Sequence, residues 1–165
     1  NIVLIESTTL VANSMNVSML LRIDEIGEIF EDVTPVPQND GPDGGVCAIS
    51  YPTSFILAYD YMRACWKSGE LSPRSLKLSA TCLKLNPANY TVWHYRRQCL
   101  ESLGYLDVST AADDDFSNST AKARIQEDLT LAAQLGGSNP KNYQIWYHRR
   151  ALLDDFHQKT KTIVS

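Results

Sequence analysis

The sequence has no run of about 18 apolar residues, so no segment is built to cross a membrane as a helix. Its start, Asn1-Ile2-Val3-Leu4-Ile5, is apolar but short. It lacks a basic n-region and is broken by Glu6, which argues against a secretory leader. Basic residues are not in excess: 15 Lys and Arg stand against 19 Asp and Glu, for a net charge of -4. That balance, with a pI near 5.3, argues against a general nucleic-acid binder and leaves room for a local basic pocket. No Cys-x-x-Cys pair occurs among Cys47, Cys65, Cys82 and Cys99, and His94, His148 and His157 are scattered. The chain therefore offers no metal-ligand spacing of its own. The cysteines are expected to be reduced thiols in the cytosol, with Cys65, Cys82 and Cys99 at helix-packing positions. β-rich runs are scarce too, with only a short stretch from Val46 to Tyr51.

What the sequence has is helical pattern. Residues 1–33 show one period through Leu20, Ile23, Ile26 and Phe30. The Pro- and Gly-rich segment 34–45 cannot continue a helix and reads as an extended run leading into turns. Pro52-Thr53-Ser54 starts a helix whose inner face is expected to carry Phe55, Tyr59, Met62 and Trp66, with Gly69 as its stop. Ser72 before Pro73 is an N-cap with proline at the first helical position. Leu76, Ala80 and Leu83 form the inner stripe of that helix, and Asn86-Pro87 ends it. A third helix runs from Asn89 to Leu103, with Gly104 after it. The acidic, Ser/Thr-rich stretch 104–120 reads as a flexible loop. A fourth helix covers about Thr120 to Leu135, with Ile125, Leu129, Ala132 and Ala133 inward. A fifth runs from near Asn142 to about Phe156, before a polar tail expected to fray. Three regions follow: an N-terminal extension at 1–50, helical repeats at 51–157 and a tail at 158–165. Short connections make antiparallel neighbours the expectation.

The chain also repeats itself. N-P-x-N-Y-x-x-W-x-x-R-R occurs from Asn86 to Arg97 and again from Asn139 to Arg150, with the anchors Asn89 and Asn142 53 positions apart. Helical-hairpin repeats run to about 34 residues, so the acidic stretch reads as an insertion between two copies. Pro87 and Pro140 stop the preceding helices, and Asn89 and Asn142 cap the following ones. Trp93 and Arg97 share a face with Tyr90, as Trp146 and Arg150 do with Tyr143, which suits ring packing between helices and guanidinium bonds to a neighbour. These residues read as scaffold. The predicted fold is all-α, a right-handed alpha-alpha superhelix: a solenoid of antiparallel helical hairpins, truncated after two motifs.

The tandem motif resembles the prenyltransferase alpha-subunit repeat. Pro35-Val36-Pro37-Gln38-Asn39-Asp40-Gly41-Pro42 is similar to the segment upstream of the repeats in the alpha subunit shared by farnesyltransferase and geranylgeranyltransferase type I. Tyr59-Asp60-Tyr61-Met62-Arg63-Ala64 resembles that family's Y-D-Y-F-R-A. The resemblance covers about Thr34 to Phe156. It implies one subunit of a cytoplasmic heterodimer, inactive without a beta subunit, that joins a farnesyl or geranylgeranyl group to a C-terminal CaaX cysteine and releases diphosphate. It implies that Lys141, before the second N-Y, stabilises the diphosphate, a position held by Ala88 in the first copy. It further implies that Gln144 binds the CaaX carboxylate terminus and that Tyr143 and Tyr90 line the substrate groove. Zinc, with magnesium as a second candidate, is implied on the beta subunit, and no cofactor is expected on this chain.

Family members continue with further repeats, so a truncated product is one expectation here. Two readings compete with the enzyme subunit: a non-catalytic helical-repeat scaffold that retains partner binding, and the alpha subunit of the Rab geranylgeranyltransferase. The Pro35–Pro42 segment argues against the latter.

Overall fold

A computed structural model describes residues 19–39, 41, 49–106, 120–137 and 140–164, with the backbone alone at 120, 121 and 155–164. Cys47, most of the Pro/Gly-rich turn and the acidic stretch 107–119 lie outside the described residues. Among those described there are helices and no strand. A 3-10 turn at Ile23–Glu25 leads into α1 (Ile26–Ile29). The longer helices are α2 (Thr53–Ser68), α3 (Pro73–Leu85), α4 (Tyr90–Ser102), α5 (Thr120–Gly136) and α6 (Tyr143–Val164). Helices α2 and α3, α3 and α4, and α5 and α6 pack against each other, and α3 also meets α5 and α4 meets α6.

The punctuation follows local chemistry. Gly69 and Gly104 take φ of 70° and 71°, a left-handed conformation that glycine adopts without strain. The turn closes the same way at both. The Gly69 and Glu70 amides donate to the Trp66 and Cys65 carbonyls, and the Gly104 and Tyr105 amides to those of Glu101 and Leu100. Ser72 and Ser75 form a reciprocal capping box ahead of α3, with Pro73 in the first turn. Asn86 ends α3 with an extended backbone. Helix α6 runs on to Val164, past the Phe156 boundary expected from composition.

The core is built between helices and over α1. Ile26, Phe30, Ala58, Cys65, Leu78, Ala80, Cys82, Leu83, Trp93 and Cys99 are all fully buried. Three thiols sit in it as free cysteines, and burial pushes them up, Cys65 to about 12. Their expected role as small core residues holds. The period through Ile26 and Phe30 holds as well, but as a short helix. Leu21 is pinned on α3 by Thr81, whose hydroxyl accepts from the Leu21 amide and donates to its carbonyl, both at 2.9 Å. Arg74 reaches back to the Ile29 carbonyl and the Asp32 carboxylate, which fastens α1 to the α2–α3 turn. The extended segment after Val33 lies across α2, where the Val36 amide donates to the Asp60 carbonyl and Arg63 donates to the Val36 carbonyl.

Two inward assignments are corrected. Tyr59 and Met62 of the expected stripe are buried, but Trp66 is 51% exposed, and Ala58 and Cys65 complete the buried face of α2. Ala133 is exposed, while Leu131, Ala132 and Leu135 face the core. Alanine carries too little apolar area to decide a face when leucines lie beside it.

The two motif tryptophans make one bond in common. The Trp93 indole donates to the Pro87 carbonyl and that of Trp146 to the Pro140 carbonyl, each at 2.8 Å. The bond ties the turn to its own helix and gives the Pro-to-Trp spacing a structural reason. Burial separates the copies: Trp93 is 0% exposed, Trp146 52%. Trp93→Ala is expected to cost about 3–5 kcal/mol and Trp146→Ala less than half of that, measured by urea unfolding.

Candidate functional site

The motif residues divide into a buried layer and an exposed edge. In the buried layer, Arg96 is 1% exposed and Asp128 1% exposed. The Arg96 guanidinium grips the Asp128 carboxylate through Nε and Nη2, at 3.0 and 2.6 Å. Its Nη1 donates to the Leu76 carbonyl and the Ser79 hydroxyl. His148, fully buried, meets Asp128 Oδ1 through Nε2 at 2.7 Å, and its ring lies 4.5 Å from that of Trp93. The neutral ring with its proton on Nε2 fits both contacts, because Nδ1 is then free to accept from Arg97 at 3.4 Å. No buried polar side-chain atom among the described residues lacks a partner.

Burial alone would push the Asp128 carboxyl up, but the Arg96 guanidinium and the His148 hydrogen bond outweigh it and hold it well below the usual carboxylate range. Burial pushes His148 down from its ordinary 6.5, against the pull of Asp128, with Arg96 and Arg97 adding to the fall. The unfolded chain therefore takes up a proton near pH 6.5 that the folded chain refuses. Stability from His148 is complete above that pH and is lost as pH falls below it. The Asp128 contribution is lost only at a much lower pH, through its own depressed value.

The sequence reading gave the scaffold role to the second arginine of each pair. The structure gives it to the first. Arg150 is exposed and pairs with Asp154, and Arg97 is half-buried over the Tyr147 ring and beside His148. Arg149 repeats the Arg96 bond one copy later, donating to the Leu129 carbonyl at 3.1 Å. Helical period could have found this, since Val92, Arg96 and Cys99 share one stripe. The partner Asp128 could not have been found that way, because it lies 32 positions away.

The exposed edge gathers at the N-termini of α4 and α6. Tyr90 is 69% exposed and Tyr143 82%, so neither ring packs between helices as expected. Asn89 caps α4 by accepting from the Val92 amide, and Asn142 caps α6 by accepting from that of Gln144, each at 3.1 Å. The Asn142 amide also donates to the Pro87 carbonyl at 2.8 Å, which brings the two N-termini side by side. Lys141 lies exposed next to this cap with no ion-pair partner among the described residues, and Gln144 is half-buried in the first turn. Among the described residues no three His, Cys, Asp or Glu side chains converge as a metal site. No helix there is long and apolar enough to cross a membrane.

Set beside known proteins, the chain matches the family model for the protein prenyltransferase alpha subunit repeat at residues 72–103 and 125–156. These two stretches contain α3–α4 and most of α5 with the first part of α6. The chain is 51% identical over 74 residues to the farnesyltransferase/geranylgeranyltransferase type-1 subunit alpha of Pisum sativum, covering 45% of this chain and 22% of that relative. To the protein of the same description in Solanum lycopersicum it is 41% identical over 112 residues, covering 68% and 27%. To that of Schizosaccharomyces pombe it is 33% identical over 135 residues, covering 78% and 39%. The chain thus spans between 22% and 39% of the length of these relatives.

As pH falls from 6.5 to 5.5 stability is expected to fall with it, at a slope of no more than about 1.4 kcal/mol per pH unit for one proton, and His148→Phe is expected to flatten that slope. Urea unfolding across this pH range checks both.

Proposed function

We propose that this chain, which matches the protein prenyltransferase alpha subunit repeat model at residues 72–103 and 125–156, serves as the alpha side of a heterodimeric CaaX protein prenyltransferase, with Lys141 stabilising the departing diphosphate. The observation that carries the reading is the difference between the two repeat copies. Both are capped by an asparagine and their tryptophan bonds coincide, yet the position before the cap is an exposed lysine in one and an exposed alanine, Ala88, in the other.

The chemistry suits the place. When a thiolate attacks the first carbon of an isoprenoid diphosphate, the carbon–oxygen bond breaks and negative charge gathers on the leaving group. An ammonium beside it lowers the barrier. The first-turn amides at the N-terminus of α6 carry partial positive charge and add to the attraction for an anion. Gln144, in the first turn, offers an amide donor for the carboxylate terminus of a CaaX peptide, and Tyr143 and Tyr90 flank the groove. The partner is a beta subunit, and the substrates are an isoprenoid diphosphate and a CaaX protein.

Co-expression with a prenyltransferase beta subunit and assay on a CaaX peptide tests this. Lys141→Ala is expected to lower kcat about a hundredfold with little change in KM. A Lys141→Ala heterodimer as active as the unaltered one overturns the catalytic role. Binding of the beta subunit without turnover by the unaltered chain would favour the scaffold reading.

A further inference from the structure

The side chain of Asn142 does two jobs with its two ends. Oδ1 accepts from the Gln144 amide at 3.1 Å and caps α6. Nδ2 donates to the Pro87 carbonyl at 2.8 Å, 55 positions back in the chain. The same carbonyl takes the Trp93 indole N–H at 2.8 Å. One oxygen therefore fixes the start of α4 from within its own repeat and the start of α6 from the next. Asn142 is 7% exposed, whereas Lys141 beside it is exposed and Gln144 is half-buried. The Trp146 bond to Pro140 cannot replace this link, because it joins the second turn only to its own helix.

We propose that Asn142 is a positioning residue, whose amide bond to the Pro87 carbonyl sets where Lys141 and Gln144 stand relative to Tyr90 and the first repeat. This rests on the reading of Lys141 and Gln144 given above. Lys141 and Gln144 flank the asparagine on either side, so a shift of α6 against α4 displaces both. A lysine reaching a leaving group and a glutamine reaching a carboxylate are asked to hold their places to within a fraction of an ångström, and errors of about 1 Å can cost a hundredfold in rate. The first copy lacks this demand, having Ala88 and Thr91 where the second has Lys141 and Gln144.

The test separates cap from link. Asn142→Ser keeps a neutral N-cap and removes the amide donor. The purified heterodimer with a beta subunit is assayed on a CaaX peptide, with rates expressed per assembled heterodimer. Asn142→Ser is expected to lower kcat and raise KM for the peptide together, each about tenfold, at unchanged heterodimer yield. Lys141→Ala is expected to move kcat alone, and Gln144→Ala to move KM alone. If Asn142→Ser does not assemble, Asn142→Asp, which retains a strong cap, is assayed in its place. Altered Lys141→Ala and Gln144→Ala enzymes beside an Asn142 variant with unaltered kcat and KM overturn this inference alone. A loss confined to the amount of assembled heterodimer overturns it as well. Silent Lys141→Ala and Gln144→Ala enzymes overturn the reading beneath it.

Discussion

The Asp128 carboxylate holds the two repeats together. It sits 1% exposed on α5, gripped by Arg96 from α4 and bonded to His148 from α6, while Arg96 also reaches the Leu76 carbonyl and Ser79 on α3. Four helices thus converge on one ion pair. Taking two charges out of water costs several kcal/mol per ion, so such a pair is stable only when its geometry is good and its remaining hydrogen-bonding groups are satisfied. Both conditions hold here. The arrangement also discriminates: a shift of one hairpin against the other would strand a buried charge.

Around that centre the two copies make the same local bonds and differ in what covers them. Arg96 and Arg149 donate to the Leu76 and Leu129 carbonyls, and Trp93 and Trp146 to the Pro87 and Pro140 carbonyls. The second copy covers the first through His148 on Trp93, and Leu100 is 3% exposed where its counterpart Leu153 is 49% exposed. The motif therefore encodes the hairpin, and burial comes from the neighbouring hairpin. At the matched positions beside the caps Lys141 and Gln144 replace Ala88 and Thr91, and that difference bears the functional proposal.

Much of the fold could be read from the sequence where its cause is local. The Ser72-Pro73 start, the glycine stops at 69 and 104, and the Asn89 and Asn142 caps depend on a few adjacent residues. Helix faces were less legible: Trp66 and Tyr90 fit the period yet stand exposed, because a face is buried only where a neighbour covers it. The Arg96–Asp128–His148 cluster was missed for a related reason. Arg96 and His148 lie 32 and 20 positions from Asp128, and charge in a helix usually marks a solvated face. At the candidate site, the contrast between Lys141 and Ala88 could be read from the repeat, while the second bond of Asn142 exists only in three dimensions.

If the buried carboxylate makes the two hairpins one cooperative unit, native-state hydrogen exchange reads it directly. The slowest amides of α4 and α6 are then expected to open with free energies within about 1 kcal/mol of each other, and to weaken together in Asp128→Asn. Opening of α5 and α6 at a much lower free energy than α3 and α4, unchanged by that substitution, would contradict it.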